Sequence, residues 1–245
     1  MLKKTIFNIS YPDQERVVKE LLTESRESSD FYLLLGLASA ITALGLLADS
    51  VIVIIGGMLV APLLFPILGL SLSLVTSSRL GVEKFLKMII RSVLLVVLAS
   101  VVVALLFGHV DSKEHYILME GVESNLIYFL VAFSAGSAAA FSWIRQGLSA
   151  TLPGVAVAVS LVPPLSSFGV SLVSLSIGTS LNSLSMFVIN LLGIILSAMV
   201  IFSISGFSNL QREEEERITE QDVEGKIREK ALKEQVGKED GENSE

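Results

Sequence analysis

Cysteine is absent from this 245-residue chain, histidine occurs twice and tryptophan once. Without cysteine there are no disulfides, thiolate metal sites or cysteine nucleophiles, and the redox compartment stays undetermined. Charge is scarce in the middle. Asp, Glu, Lys and Arg fill 11 of the first 30 positions and 20 of the last 40, but only 12 of the 175 between. With 51% hydrophobic residues and a mean hydropathy of +0.68, that distribution excludes an ordinary soluble domain and describes a membrane domain with two wet ends. The net charge of −7 arises mostly in the tail, where 206–245 holds 13 acids against 7 bases, so no basic patch awaits a nucleic acid. Residues 1–30 are polar and lack the apolar core of a cleavable signal peptide. Also missing are His-Glu-x-x-His, a Gly-x-Ser-x-Gly elbow and a phosphate-binding glycine loop, so no enzyme is expected. His109, Asp111, Glu114 and His115 gather in one loop, but their spacing matches no metal motif. No cofactor and no metal are expected.

What is present is a series of apolar runs. A membrane-crossing helix needs roughly 17–25 such residues, and six runs qualify: 31–48, 50–75, 88–107, 126–142, 148–177 and 184–204. The second and fifth are long for one straight span and carry central prolines, Pro62 and Pro66 in one, Pro163 and Pro164 in the other. Proline removes an N–H and clashes with the preceding turn, so both spans are expected to be kinked or broken. Positive residues stay on the cytoplasmic side. An even count of six with both ends inside leaves 17 bases inside and only Lys113 outside. The expected organisation is a cytoplasmic segment 1–30, a membrane domain 31–204 and an acidic, partly disordered cytoplasmic tail 205–245.

Residues 31–107 and 126–204 each hold three spans with the proline-bearing one in the middle. Gly69-Leu70-Ser71-Leu72 and Gly169-Val170-Ser171-Leu172 follow the prolines in the two halves. Three-span units must enter the membrane from opposite sides, so the fold expected is all-α, with six spans as two inverted three-helix repeats. Many secondary transporters use this arrangement and bind substrate where broken helices meet. Prolines that merely curve packed helices are the competing reading.

The run Ala43-Leu44-Gly45-Leu46-Leu47-Ala48-Asp49-Ser50-Val51, then Ile55-Gly56-Gly57-Met58-Leu59-Val60-Ala61-Pro62-Leu63-Leu64-Phe65-Pro66, resembles the hallmark of a prokaryotic membrane family catalogued as domain of unknown function 389. Ala156 to Leu165, with Pro163-Pro164, and the later Asn190 resemble its second half. The resemblance covers about 29–204 and implies a multi-pass protein of a prokaryotic plasma membrane. It implies no mechanism, because the family is named for lacking an assigned activity. Longer members carry a larger cytoplasmic domain before the first span.

Asp49 falls in a gap between spans one and two too short for a true loop. It serves either as a cap with Ser50 for span two or as a carboxylate at a cavity mouth. Asn190 lies about six residues inside span six, about 9 Å deep. Its amide must bond a neighbouring helix, a carbonyl freed by a proline break, or a ligand. Those freed carbonyls are expected around Met58, Val159 and Ser160, and with the hydroxyls of Ser160, Ser166 and Ser167 they could line a polar path. The pathway or binding candidates are therefore Asp49, Met58, Pro62, Pro66, Ser160, Pro163, Pro164, Ser166 and Asn190.

Gly56-Gly57 and the small run Ser134 to Ala140 suit close helix packing, and the latter makes a homo-oligomer plausible. In 13–24, Val17, Val18, Leu21 and Leu22 share one helical face. The tail is expected to be a solvated helix fading by Gly237, with docking to a protein partner as the alternative. The function expected is a transporter or channel-like protein for a small solute or ion in the lipid bilayer. A non-transporting scaffold or sensor acting through its cytoplasmic ends is the other class.

Overall fold

Inside a bilayer every backbone N–H and C=O needs an internal partner, and helices supply one locally. Helices are what the apolar runs form. The computed structural model describes residues 9–108, 126–145 and 151–242. It comprises α1 (Tyr11–Glu24), α2 (Ser29–Leu47), α3 (Val51–Val60), α4 (Leu64–Thr76), α5 (Arg79–Phe107), α6 (Leu126–Ile144), α7 (Thr151–Val173), α8 (Ile177–Ile204) and α9 (Gln211–Glu242), with a short 3-10 turn at Phe207–Asn209. No strand occurs among the described residues. The cluster His109, Asp111, Glu114 and His115 lies outside them.

Five helices are long and apolar enough to cross a membrane, namely α2, α5, α6, α7 and α8. The pair α3 and α4, bent by 57°, adds a sixth if counted as one span. Local chemistry sets the ends. Ser28 Oγ accepts from Phe31 N at the start of α2, and Ser78 Oγ from Gly81 N at the start of α5, both at 3.1 Å. α2 ends with Asp49 in the left-handed region at φ 47. There Ser50 N reaches Gly45 O at 2.9 Å and Asp49 N reaches Leu46 O at 3.2 Å, a Schellman cap. Asp49 thus closes α2, a role beside the two read from the sequence, a cap with Ser50 for the following span or a carboxylate at a cavity mouth. Leu175 repeats the device at the end of α7, with φ 54 and Ser176 N on Ser171 O at 3.2 Å.

The two proline sites behave differently, and only one of the two expected breaks exists. Pro62 and Pro66 are four apart, so an unbroken helix would lose bonds in two successive turns. The chain instead bends. Ala61 leaves the helical region at ψ 119, as a residue before proline tends to. Met58 O is taken by Ala61 N at 3.3 Å, and Pro66 falls in the first turn of α4, where its missing N–H has no helical role. Pro163 and Pro164 are adjacent and lie inside the continuous helix α7, which corrects the expected break there. Their losses fall within one turn, and the helix continues through them among the neighbours that pack on it. α7 is the central helix: 72% of its apolar window is buried, against 33–44% in the other single-helix spans. It packs against α2, α3, α4, α5, α6 and α8.

The small run of α6 lies along α8. A Cβ on Gly136 would stand 2.7 Å from Ile194 O, so that face is occupied within the chain. At one end of the bundle, α1 buries Val17, Val18, Leu21 and Leu22 against α4, α6 and α9.

Candidate functional site

The bend between α3 and α4 places two helix ends beside a cleft. Leu63, the residue before α4, offers no side-chain cap, so the amides of Leu64 and Phe65 lack the intrahelical acceptors that later turns enjoy. Met58, Ala61, Pro62, Leu64 and Phe65 line a cleft of about 360 Å³ whose far wall is Trp143 of α6 and Ala158 of α7. Glu24, the last residue of α1, sits on its rim. Trp143 lies edge-on to Phe65 with ring centroids 5.2 Å apart, and its indole Nε1 is buried without a hydrogen-bond partner.

Two residues beyond Ala158 begins a polar seam between α7 and α8. Pro164 has no N–H for the carbonyl of Ser160; Asn190 Nδ2 from α8 donates to that oxygen at 2.7 Å. The amide's other end, Oδ1, is buried without a partner, and Asn190 itself is 1% exposed. Further along, Ser167 and Ser183 share a hydrogen bond of 3.0 Å, and Ser171 and Ser180 one of 2.8 Å. Ser166 is fully buried and its hydroxyl is unpartnered. Ser160 Oγ bonds back to Ala156 O at 3.0 Å.

The sequence candidates thus fall into two groups. Met58 and Pro62 meet at the cleft; Ser160, Pro163, Pro164 and Asn190 meet at the seam. Pro66 is buried in α4, Ser166 stands next to the seam without joining it, and Asp49 is exposed at the turn after α2, apart from the cleft lining. Leu63 and Ile67, next in the chain to the cleft residues, pack with Leu161, Leu165, Phe187 and Leu191, next to the seam residues, around a void of about 10 Å³ that Ser92 also borders. That is room for one water at most, in surroundings with little to bond it.

Sequence reasoning missed Ser171, Ser180 and Ser183. Their signal was in the spacing: 160, 167 and 171 share one face of α7, and 180, 183 and 190 share one of α8. Reasoning also missed Glu214, which the tail's acidic run concealed. Glu214 is fully buried where α9 meets α4 and α5, with Ser73 Oγ and Thr76 Oγ1 on its carboxyl oxygens. Burial pushes that carboxyl above its ordinary range, and the two hydroxyls offset part of the push. Beside it Glu213 accepts from the hydroxyl of Tyr11 on α1, which lowers the Glu213 carboxyl and drives Tyr11 up to about 12.

A family model described as domain of unknown function (DUF389) matches residues 58–196, a stretch that takes in both the elbow and the seam. An uncharacterized protein of Methanocaldococcus jannaschii is 30% identical over 203 residues, which is 80% of this chain and 62% of that protein. The chain spans about three fifths of the length of the curated relative it matches. No solved structure matches it.

Proposed function

The chain belongs to the family catalogued as domain of unknown function 389, and from that premise we propose that it is a transporter or channel-like protein for a small solute or ion. The observation that carries this reading is the elbow, an interrupted helix whose uncapped end faces a cleft of about 360 Å³. Interrupted helices are costly in lipid and persist where they line a cavity, and transporters use their ends to hold substrate. The seam behind the cleft supplies an unpartnered buried oxygen, Asn190 Oδ1, and an unpartnered hydroxyl, Ser166 Oγ. The apolar packing between the two makes this a closed arrangement, so passage requires the elbow to move.

We read α2 to α5 and α6 to α8 as inverted repeats whose central helices have diverged, one interrupted and one continuous. The basic residues support placing both ends in the cytoplasm of a prokaryotic cell. The test is flux through proteoliposomes of the full chain, with sodium, potassium, chloride, protons and glycerol as tracers. Protein-dependent flux of at least one is expected, blocked when an Ala61→Cys variant is modified by a bulky thiol reagent. No flux of any tracer through folded, inserted protein would remove the reading.

A second reading, a scaffold or sensor acting through its cytoplasmic ends, is favoured by the tail's attachment through Glu213 and Glu214. Deleting 226–245 leaves those contacts in place. A transporter so shortened keeps its flux; a scaffold working through the distal tail loses its partner.

A further inference from the structure

Glu214 is the one fully buried charged-type residue among the described residues. Its surroundings are neutral at close range. α4 contains no charged residue and presents Ser73 and Thr76; α5 presents Gly81, where a Cβ would collide with Ser73 Oγ and Glu214 Oε1. The charged groups on the helices packed around it are engaged elsewhere, half-buried or out in solvent, and among the described residues none forms an ion pair with it. On α9, Arg212 pairs with Glu216 at 2.7 Å, Glu213 holds Tyr11, Glu215 adds repulsion, and Arg217 is half-buried. On α5, Glu83 pairs with Lys87 at 2.6 Å, Lys84 donates to Gln221 at 3.0 Å, and Arg79 is exposed. From α1, Arg16 pairs with Glu20 at 2.6 Å, and Asp13 and Glu15 are half-buried. No ion pair among the described residues reaches Glu214.

The proton inventory points the same way. Ser73 Oγ contacts both Gly69 O, at 2.9 Å, and Glu214 Oε1; Thr76 Oγ1 contacts both Ser73 O, at 3.2 Å, and Glu214 Oε2. Each hydroxyl has one proton for two acceptors. A proton on the carboxyl supplies a third donor and lets one hydroxyl keep its bond to the helix backbone while accepting from Glu214. An unpaired carboxylate in the same pocket would be a buried charge with no cation, which is strongly unfavourable.

We propose that Glu214 is a proton-binding latch: it fastens the tail helix α9 onto the cytoplasmic ends of α4 and α5 when protonated and releases it when ionised. The latch acts on α4, the helix that forms the far side of the elbow. This inference stands on the tail's geometry and holds whether or not the chain moves solute.

The sign follows from linkage. A carboxyl whose value is raised in the docked state binds its proton more tightly there than when free. Docking is therefore fully favourable below the free value of about 4.5 and weakens as pH rises toward the docked value, by about tenfold per pH unit in that window. The neighbouring Tyr11 and Glu213 contact weakens as Glu213 protonates below the ordinary carboxylate range and again as Tyr11 ionises on the way up to about 12, both outside the pH range of the test, so it does not mask the effect.

The test uses the full chain in lipid nanodiscs. Because the chain lacks cysteine, nitroxides can be placed singly on exposed Leu86 of α5 and Thr219 of α9, and their separation read by pulsed electron resonance from about pH 4.5 to about pH 9. The expected result is one narrow distance at low pH, replaced by a broad, longer distribution as pH rises. A Glu214→Gln variant should stay narrow throughout, and a variant at exposed Glu220, Glu220→Gln, should follow the unmodified chain. A narrow distance that is independent of pH in the unmodified chain would overturn the proposal. So would docking that strengthens with pH, or a Glu214→Gln tail that detaches at every pH. The pH series on the unmodified chain stands alone if a variant does not fold.

Discussion

If Asn190 stands in for the amide that Pro164 lacks, the two residues should be thermodynamically coupled. Replacing Asn190 with Leu keeps similar volume, so little cavity forms, but leaves the Ser160 carbonyl buried with no donor. An unsatisfied buried acceptor costs about 1–3 kcal/mol, whereas hydrogen bonds between membrane helices average about 0.6 kcal/mol and reach about 1.7. The low average reflects partners that re-form elsewhere. Ser160 has no such recourse, because the residue four ahead is proline, so the cost expected is near the upper end, about 1.5 kcal/mol. Pro164→Ala restores an N–H at the right place in the helix ladder. In that background Asn190→Leu should cost about 0.5 kcal/mol or less, a coupling of about 1 kcal/mol, above the ~0.3–0.5 scatter of independent sites. Reversible unfolding of the four proteins in mixed micelles measures all corners of the cycle. Equal cost of Asn190→Leu in both backgrounds would refute the reasoning, whatever Pro164→Ala does by itself.

The adjacent glycines of α3 should differ sharply: Gly57→Ala puts a Cβ 2.8 Å from Ala38 O and Thr42 N of α2 and should cost about 1–3 kcal/mol, while Gly56→Ala meets nothing within 4 Å and should be neutral or slightly stabilising in thermal unfolding. Single cysteines probed with a membrane-impermeant thiol reagent should react at Ala61, on the cleft, and stay silent at Ser166 and Asn190; labelling at Ser166 in the resting protein would show that the apolar packing is not closed. Tyr11→Phe should let the Glu213 carboxyl rise toward its ordinary range, read by isotope-edited infrared titration, and an unmoved Glu213 would mean the Tyr11 hydroxyl does not hold it.

Much of the membrane architecture was legible because its causes are local. A run of 18 or more apolar residues must cross or bury itself, and α2, α5, α6 and α8 appear where the runs lie. The four apolar residues of α1 sit on one face by helical spacing alone. Asn190 could be singled out because an amide at depth needs a partner. Which partner it takes was not legible: of the three kinds open to it, the structure selects Ser160 O, thirty residues away. The part of Asp49 in ending α2 was not legible, because a sequence does not show which side of a short turn a polar residue serves, and here the backbone at φ 47 closes the helix before it.

Proline positions were written in the chain, but whether each one breaks a helix was not. The four-residue spacing of Pro62 and Pro66 removes bonds from successive turns, and the backbone does best by bending. The adjacent Pro163 and Pro164 remove bonds from one turn, where Asn190 of α8 replaces a donor and six neighbouring helices confine the backbone. Glu214 shows the same division at the other end of the scale. Composition makes it one acid in a run of four, and only the packing of α9 on α4 and α5 takes it out of water. Hydropathy, chain length and missing N–H groups are properties of single residues and short runs, so the sequence alone determined the spans and the wet ends. Donors and burial that arrive from distant segments are properties of the packed chain, so tertiary structure decided which helix bends and which carboxyl is buried.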